Sequence, residues 1–191
     1  MKGRAFKLAV RVIPVLVLAS TAALAQSGAP KRFSGMIDGY SPQTTTTNGS
    51  TTTTTGPYEV RGPWSLKLKW DSRKADFSAA VNMELSDGWV MTENNGNFDP
   101  NARGAHTHHV TVVDGDVTTT STGGLLITGT ATITLNGNPA PISPSPITIE
   151  ITGGSDVEFS NMRLTFGFPG SKHFGAEAIS GVVRRVERER R

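Results

Sequence analysis

The chain holds four histidines, and three of them stand within four residues in "HTHHV", at His106, His108 and His109. The fourth is His173, in "PGSKHFGAE". Val110 and Val112 continue the first stretch as the inward residues of a strand. Counting back by twos puts His106 and His108 on that same face. His109 then points outward with Thr107 and Thr111. Two residues along a strand span roughly 6–7 Å, close enough for both rings to lean toward one ion. His173 is the candidate third ligand, and Glu177, further along the same stretch, is the candidate fourth. Imidazole and carboxylate together suit a divalent metal such as Zn, Cu, Fe, Ni or Mn. The chain has no cysteine, which argues against a thiolate-based structural zinc cluster and excludes thiol catalysis. A metal held here would polarise a substrate or activate water. The plainer alternative is a set of rim histidines hydrogen-bonded to loop carbonyls, with no metal.

The His-x-His pair followed at a distance by a histidine after a Pro-Gly turn resembles the cupin pattern. In that family a His-x-His pair, a carboxylate and a later histidine grip a metal inside a β-barrel. His106 and His108 match the pair, and "PGSKH" is similar to the second motif. The chain departs from the pattern at the acidic residue after the pair, which is Asp114 and comes late. It departs again at Glu177, where cupins usually carry Asn. The similarity covers these two short stretches.

The elements that must position these residues are written in period two. In "WSLKLKW", Trp64, Leu66, Leu68 and Trp70 share one face; in "ADFSAAVNMEL", Phe77, Ala79, Val81, Met83 and Leu85 do so. "LLITGTATITL" sets Leu125, Ile127, Ala131, Ile133 and Leu135 against a row of threonines, and "ITIEIT" repeats the scheme with Ile147, Ile149 and Ile151. Alternation of this kind marks strands with one buried and one wet face, the habit of antiparallel sheets. Asp114-Gly115, Asn136-Gly137 and Gly153-Gly154 read as tight turns between strands, and "NGNPAPISPSP" as a connection. The apolar phase slips by one residue at Ser160-Asn161, which predicts a bulge there. No long stretch shows an apolar face at helical spacing. The expected fold is all-β, a single antiparallel β-barrel, with a two-sheet β-sandwich as the alternative.

The ends carry their own signals. Lys2, Arg4, Lys7 and Arg11 precede the apolar run Val12–Ala19, and Ala23-Leu24-Ala25 fits a small-x-small cleavage site. A cleavable signal peptide over 1–25, and hence a secreted or periplasmic protein, is the expectation. No transmembrane segment is expected after cleavage. Four of the 19 basic residues lie in that leader, which leaves 15 against 16 acidic. The last eight residues, "RRVERERR", hold five of those 15, so the body is mildly acidic. It offers no clustered basic face for nucleic acid.

The expected organisation is that leader, a strand plus Thr-rich loop or hairpin over 26–60, a barrel body over 61–186 and a charged tail over 187–191. The long loop "GWVMTENNGNFDPNARGA" precedes the histidine strand and is the candidate lid, with Trp89 and Phe98 as its anchors. Its resemblance to a calcium loop fails at Arg103 and Val110. There is no nucleophile elbow, phosphate loop or dinucleotide fingerprint. Three readings stand: a binding module with a His-lined opening around a divalent metal, a calycin-like barrel for a small apolar ligand, and a structural or surface-interaction protein. The sequence carries no signal of catalytic residues or oligomeric state.

Overall fold

A computed structural model describes residues 29–41, 44–48, 51–55, 57–85, 105–154 and 158–189. The leader, the candidate lid with Trp89 and Phe98, and the last two arginines lie outside the described residues. What is described is almost all strand: β1 (Pro30–Ser41), β2 (Thr44–Asn48), β3 (Thr51–Thr55), β4 (Tyr58–Lys69), β5 (Lys74–Leu85), β6 (His106–Thr119), β7 (Leu125–Leu135), β8 (Asn138–Pro139), β9 (Ser145–Thr152), β10 (Asn161–Phe166) and β11 (Ile179–Arg188). A short α-helix, α1 (Ser171–Phe174), and a 3-10 turn at Trp70–Ser72 interrupt them.

The wall is a closed barrel of eight antiparallel strands in the order β1-β4-β5-β6-β7-β9-β10-β11, closed by pairing of β11 with β1; β8 is an extra edge strand on β7. Strands adjacent in the wall follow one another along the chain, apart from the inserted β2–β3 hairpin and β8. The barrel is therefore an up-and-down meander. Cupin jelly rolls are instead wound from Greek keys, so the likeness to cupins ends at the histidine spacing. The wall opens with β1 at Pro30 and closes with β11 at Arg188.

Eight strands make a barrel just wide enough for side chains to fill. The predicted inward residues do so: Leu66, Phe77, Val81, Ile127, Ile133, Ile149 and Ile151 are essentially inaccessible, joined by Phe33, Phe174 and Met162. The Thr-rich stretch pairs as a hairpin, from Thr44 opposite Thr55 to Asn48 opposite Thr51.

One local expectation needs correction. Asp114-Gly115 is not a turn between strands; β6 runs through it, with a register shift between Val112 and Asp116. Asp114 has φ 55°, and a Cβ on Gly115 would press within 3.1 Å of both Val112 and Ile127. A bulge uses the same left-handed backbone as a tight turn, which is why the dipeptide reads either way. The phase slip expected at Ser160-Asn161 is present. Phe159 is buried and Ser160 and Asn161 are both exposed; Ser160 N–H donates at 3.2 Å to the carbonyl of Thr152, the residue Asn161 pairs with, so two residues here stand against one as a bulge requires. Asn136-Gly137 (φ 48° and 85°) does turn β7 into β8.

The meander sorts its connections. One end of the barrel has the tight joins 70–73 and 120–124, the end of β9 and start of β10, and the start of β1 beside the end of β11, where Glu189 N–H donates to the Ala29 carbonyl at 3.1 Å. The other end carries the long ones: the threonine hairpin, the link from β5 to β6, the β8 turn and α1. The histidines are at this second end.

Candidate metal centre

β6 presents its first residues at the rim. His106 stands opposite Met83 and His108 opposite Val81, so both share the inward face of their partners. His109 is exposed, as the strand phase requires. His173 arrives from the far side of the wall on α1. Phe174 anchors that turn, with no exposed surface and its ring 4.1 Å from Phe166 in a near-parallel stack. Ser41 Oγ at the end of β1 donates to the His173 carbonyl at 3.3 Å.

The three imidazoles meet at their Nε2 atoms. His173 Nε2 lies 3.1 Å from His106 Nε2 and 2.9 Å from His108 Nε2. One ring nitrogen from each residue falls within 4.8 Å of the others. Two nitrogens bound to one ion at 2.0–2.1 Å are about 2.9 Å apart at a right angle and about 3.4 Å apart at the tetrahedral angle. The two short separations thus match ligands of a single metal ion, and the three histidines stand close enough to hold one.

The protonation states favour the same use. His108 Nδ1 is 2.9 Å from the Thr134 carbonyl oxygen. A carbonyl only accepts, so Nδ1 carries the proton and Nε2 turns a lone pair into the cluster. His173 Nε2 has one in-plane position with which to answer two neighbouring nitrogens. Burial, reinforced by the charge that His173 and His106 would add, lowers the His108 pKa to about 4, against partial support from the Thr134 carbonyl. Burial first and His106 second lower His173 to about 4 as well. Both rings are neutral at pH 7, the form that binds metal.

Aromatic rings flank the cluster. Tyr58 meets His106 edge-on at 5.4 Å and tilts over His173 at 6.1 Å; Phe174 packs against His108 and His173, each at 5.1 Å. Burial raises the Tyr58 pKa. Neither aromatic residue is marked by spacing in the sequence, although Tyr58 keeps the inward phase of Val60 and Phe174 adjoins His173. Glu177, the fourth expected ligand, is exposed and stands outside the convergent group. Its spacing from His173 would align the two only on a continuing helix. α1 stops at Phe174, and Gly175 (φ 86°) turns the chain away.

Fold and site together define a closed up-and-down β-barrel with a tris-imidazole cluster in one mouth. Compared with protein-family models, curated proteins and solved structures, the chain finds no match in any of the three.

Proposed function

We propose that this is an exported β-barrel protein whose function is to bind a divalent metal through His106, His108 and His173. The observation that carries the reading is the meeting of three Nε2 atoms at 2.9 and 3.1 Å, with the His108 lone pair directed inward by Thr134. Three protein ligands leave a coordination position for water or a small-molecule substrate, the arrangement of catalytic rather than closed structural sites. Neutral nitrogen donors favour Zn, Cu, Ni or Fe over harder ions such as Mg and Ca. A calycin-like barrel for a small apolar ligand would need interior space where Phe33, Phe77 and Phe174 now sit.

The test is the metal content of the untagged protein beside a His106→Ala/His108→Ala variant. Near-stoichiometric transition metal in the parent and its loss in the variant are expected. A parent that neither carries metal nor takes it up when offered would end this reading.

A further inference from the structure

The cluster has an electrostatic consequence. Its three ligands are neutral, and among the described residues no carboxylate joins the convergent group. A divalent ion there would have only neutral protein ligands, beside His108, which is only 2 % exposed, and near the rings of Tyr58 and Phe174. A doubly charged ion with only neutral ligands is costly beside buried apolar rings, where water and its high dielectric are partly displaced. An anion in the open position removes half of that charge at contact distance.

The flanking rings say how the anion would be held. Phe174 lies against His108 and His173, and Tyr58 against His106 and His173. Of these two, only the phenol carries a hydrogen-bond donor. Tyr58 opens β4 at the end of the barrel that bears the histidines, where a small molecule would enter. A donor to an ionised oxygen makes one of the stronger hydrogen bonds available to a neutral side chain.

Resting on the metal reading, we propose that the open position takes an anionic oxygen, the carboxylate or oxyanion end of a small molecule, and that Tyr58 donates a hydrogen bond to it. The substrate class is then small organic anions, and ammonium groups are disfavoured by charge. Tyr58 is a specificity residue and contributes little to holding the metal itself.

Cobalt(II) is the probe, because its visible spectrum reports its ligands. The protein is loaded with cobalt, the bound ratio is measured, and acetate is titrated in, with ethylammonium as the cationic control. We expect about one cobalt per chain, a saturable spectral change with acetate and none with ethylammonium. Tyr58→Phe should retain the same cobalt ratio and bind acetate about tenfold more weakly or worse. Failure to retain cobalt overturns the metal reading and this inference with it. Retained cobalt with a spectrum indifferent to acetate overturns the anion site alone. Equal acetate affinity in Tyr58→Phe, at an equal cobalt ratio, removes Tyr58 from it.

Discussion

The two ends of the barrel handle polar groups in opposite ways. At the end with short joins, Lys69 Nζ bridges Asp76 Oδ1 at 2.6 Å and Asp114 Oδ1 at 2.7 Å. Beside it, Lys74 Nζ meets Asp116 at 2.7 Å, and Trp70 Nε1 donates to the Pro30 carbonyl at 2.6 Å. Every charge in that group has a partner of opposite sign and access to water. At the other end three imidazoles crowd Nε2 to Nε2 with burial increasing inward, and burial keeps the rings of His108 and His173 neutral. A fold under selection for stability alone has no reason to assemble such a cluster, because apolar side chains would fill the space without competing for one proton. Departures of this kind from local optimality mark functional sites.

The largest break in the comparison should come from Phe174→Ala. The ring has no exposed surface, stacks on Phe166 and supports both His108 and His173. Removing it leaves a cavity at the base of the mouth and should cost about 3–5 kcal/mol of stability. α1 has few other anchors, so metal affinity should fall too, although no ligand is changed. Urea denaturation and metal titration of the same variant check both effects. A variant that loses stability but binds metal normally would show that α1 is positioned by something other than Phe174.

Next in size is the response to acid. His108 and His173 titrate near 4 in the folded chain, against 6.5 for an ordinary histidine. Between those values the unfolded chain binds more protons, so stability falls as pH is lowered through the window. Above pH 6.5 both states carry neutral rings and the difference vanishes. For His108, the more buried of the two, the loss should reach about 3 kcal/mol by pH 4. His173 adds a smaller share, discounted for its partial exposure. Denaturation of metal-free protein from pH 7 to pH 4 gives the slope, and His108→Leu should flatten it. Bound metal should resist acid better than at a solvent-exposed histidine site, since protons compete for His108 and His173 only near pH 4. An unchanged slope in His108→Leu would place the acid sensitivity elsewhere.

The sequence was informative where a signal was local. Period two in β4, β5, β7 and β9 specified inward faces correctly, and the same rule paired His106 with His108 because both belong to one strand. What it lacked was closure. Nothing in "PGSKHF" says that β10 and β11 bring His173 across the mouth, because that depends on eight pairings distributed over the chain. Tyr58 escaped notice for the same reason: its importance lies in the approach of β4 to β6 and α1, not in its neighbours. Asp114-Gly115 failed differently, since bulges and turns call on the same backbone conformation and only the partner strand distinguishes them.

The smallest effect belongs to the end with short joins, and it tests whether the two ends are independent. Lys69→Met removes the shared cation from Asp76 and Asp114. Lys69 holds both carboxylates, and its hydrogen bond is the first cause of the lowered Asp76 pKa, followed by the Asp114 backbone N–H. These groups remain wet, however, and exposed pairs contribute little because water already solvates each charge well. The variant should therefore shift the denaturation midpoint less than either change above, and about 1 M salt should erase most of the shift by screening. Metal binding should be untouched, since the pair lies at the other end of β4 from Tyr58, eleven residues along a 12-residue strand. A loss of metal affinity in Lys69→Met would mean that the bulge at Asp114 transmits its geometry along β6 to His108. The barrel would then be one coupled wall rather than two ends with separate tasks.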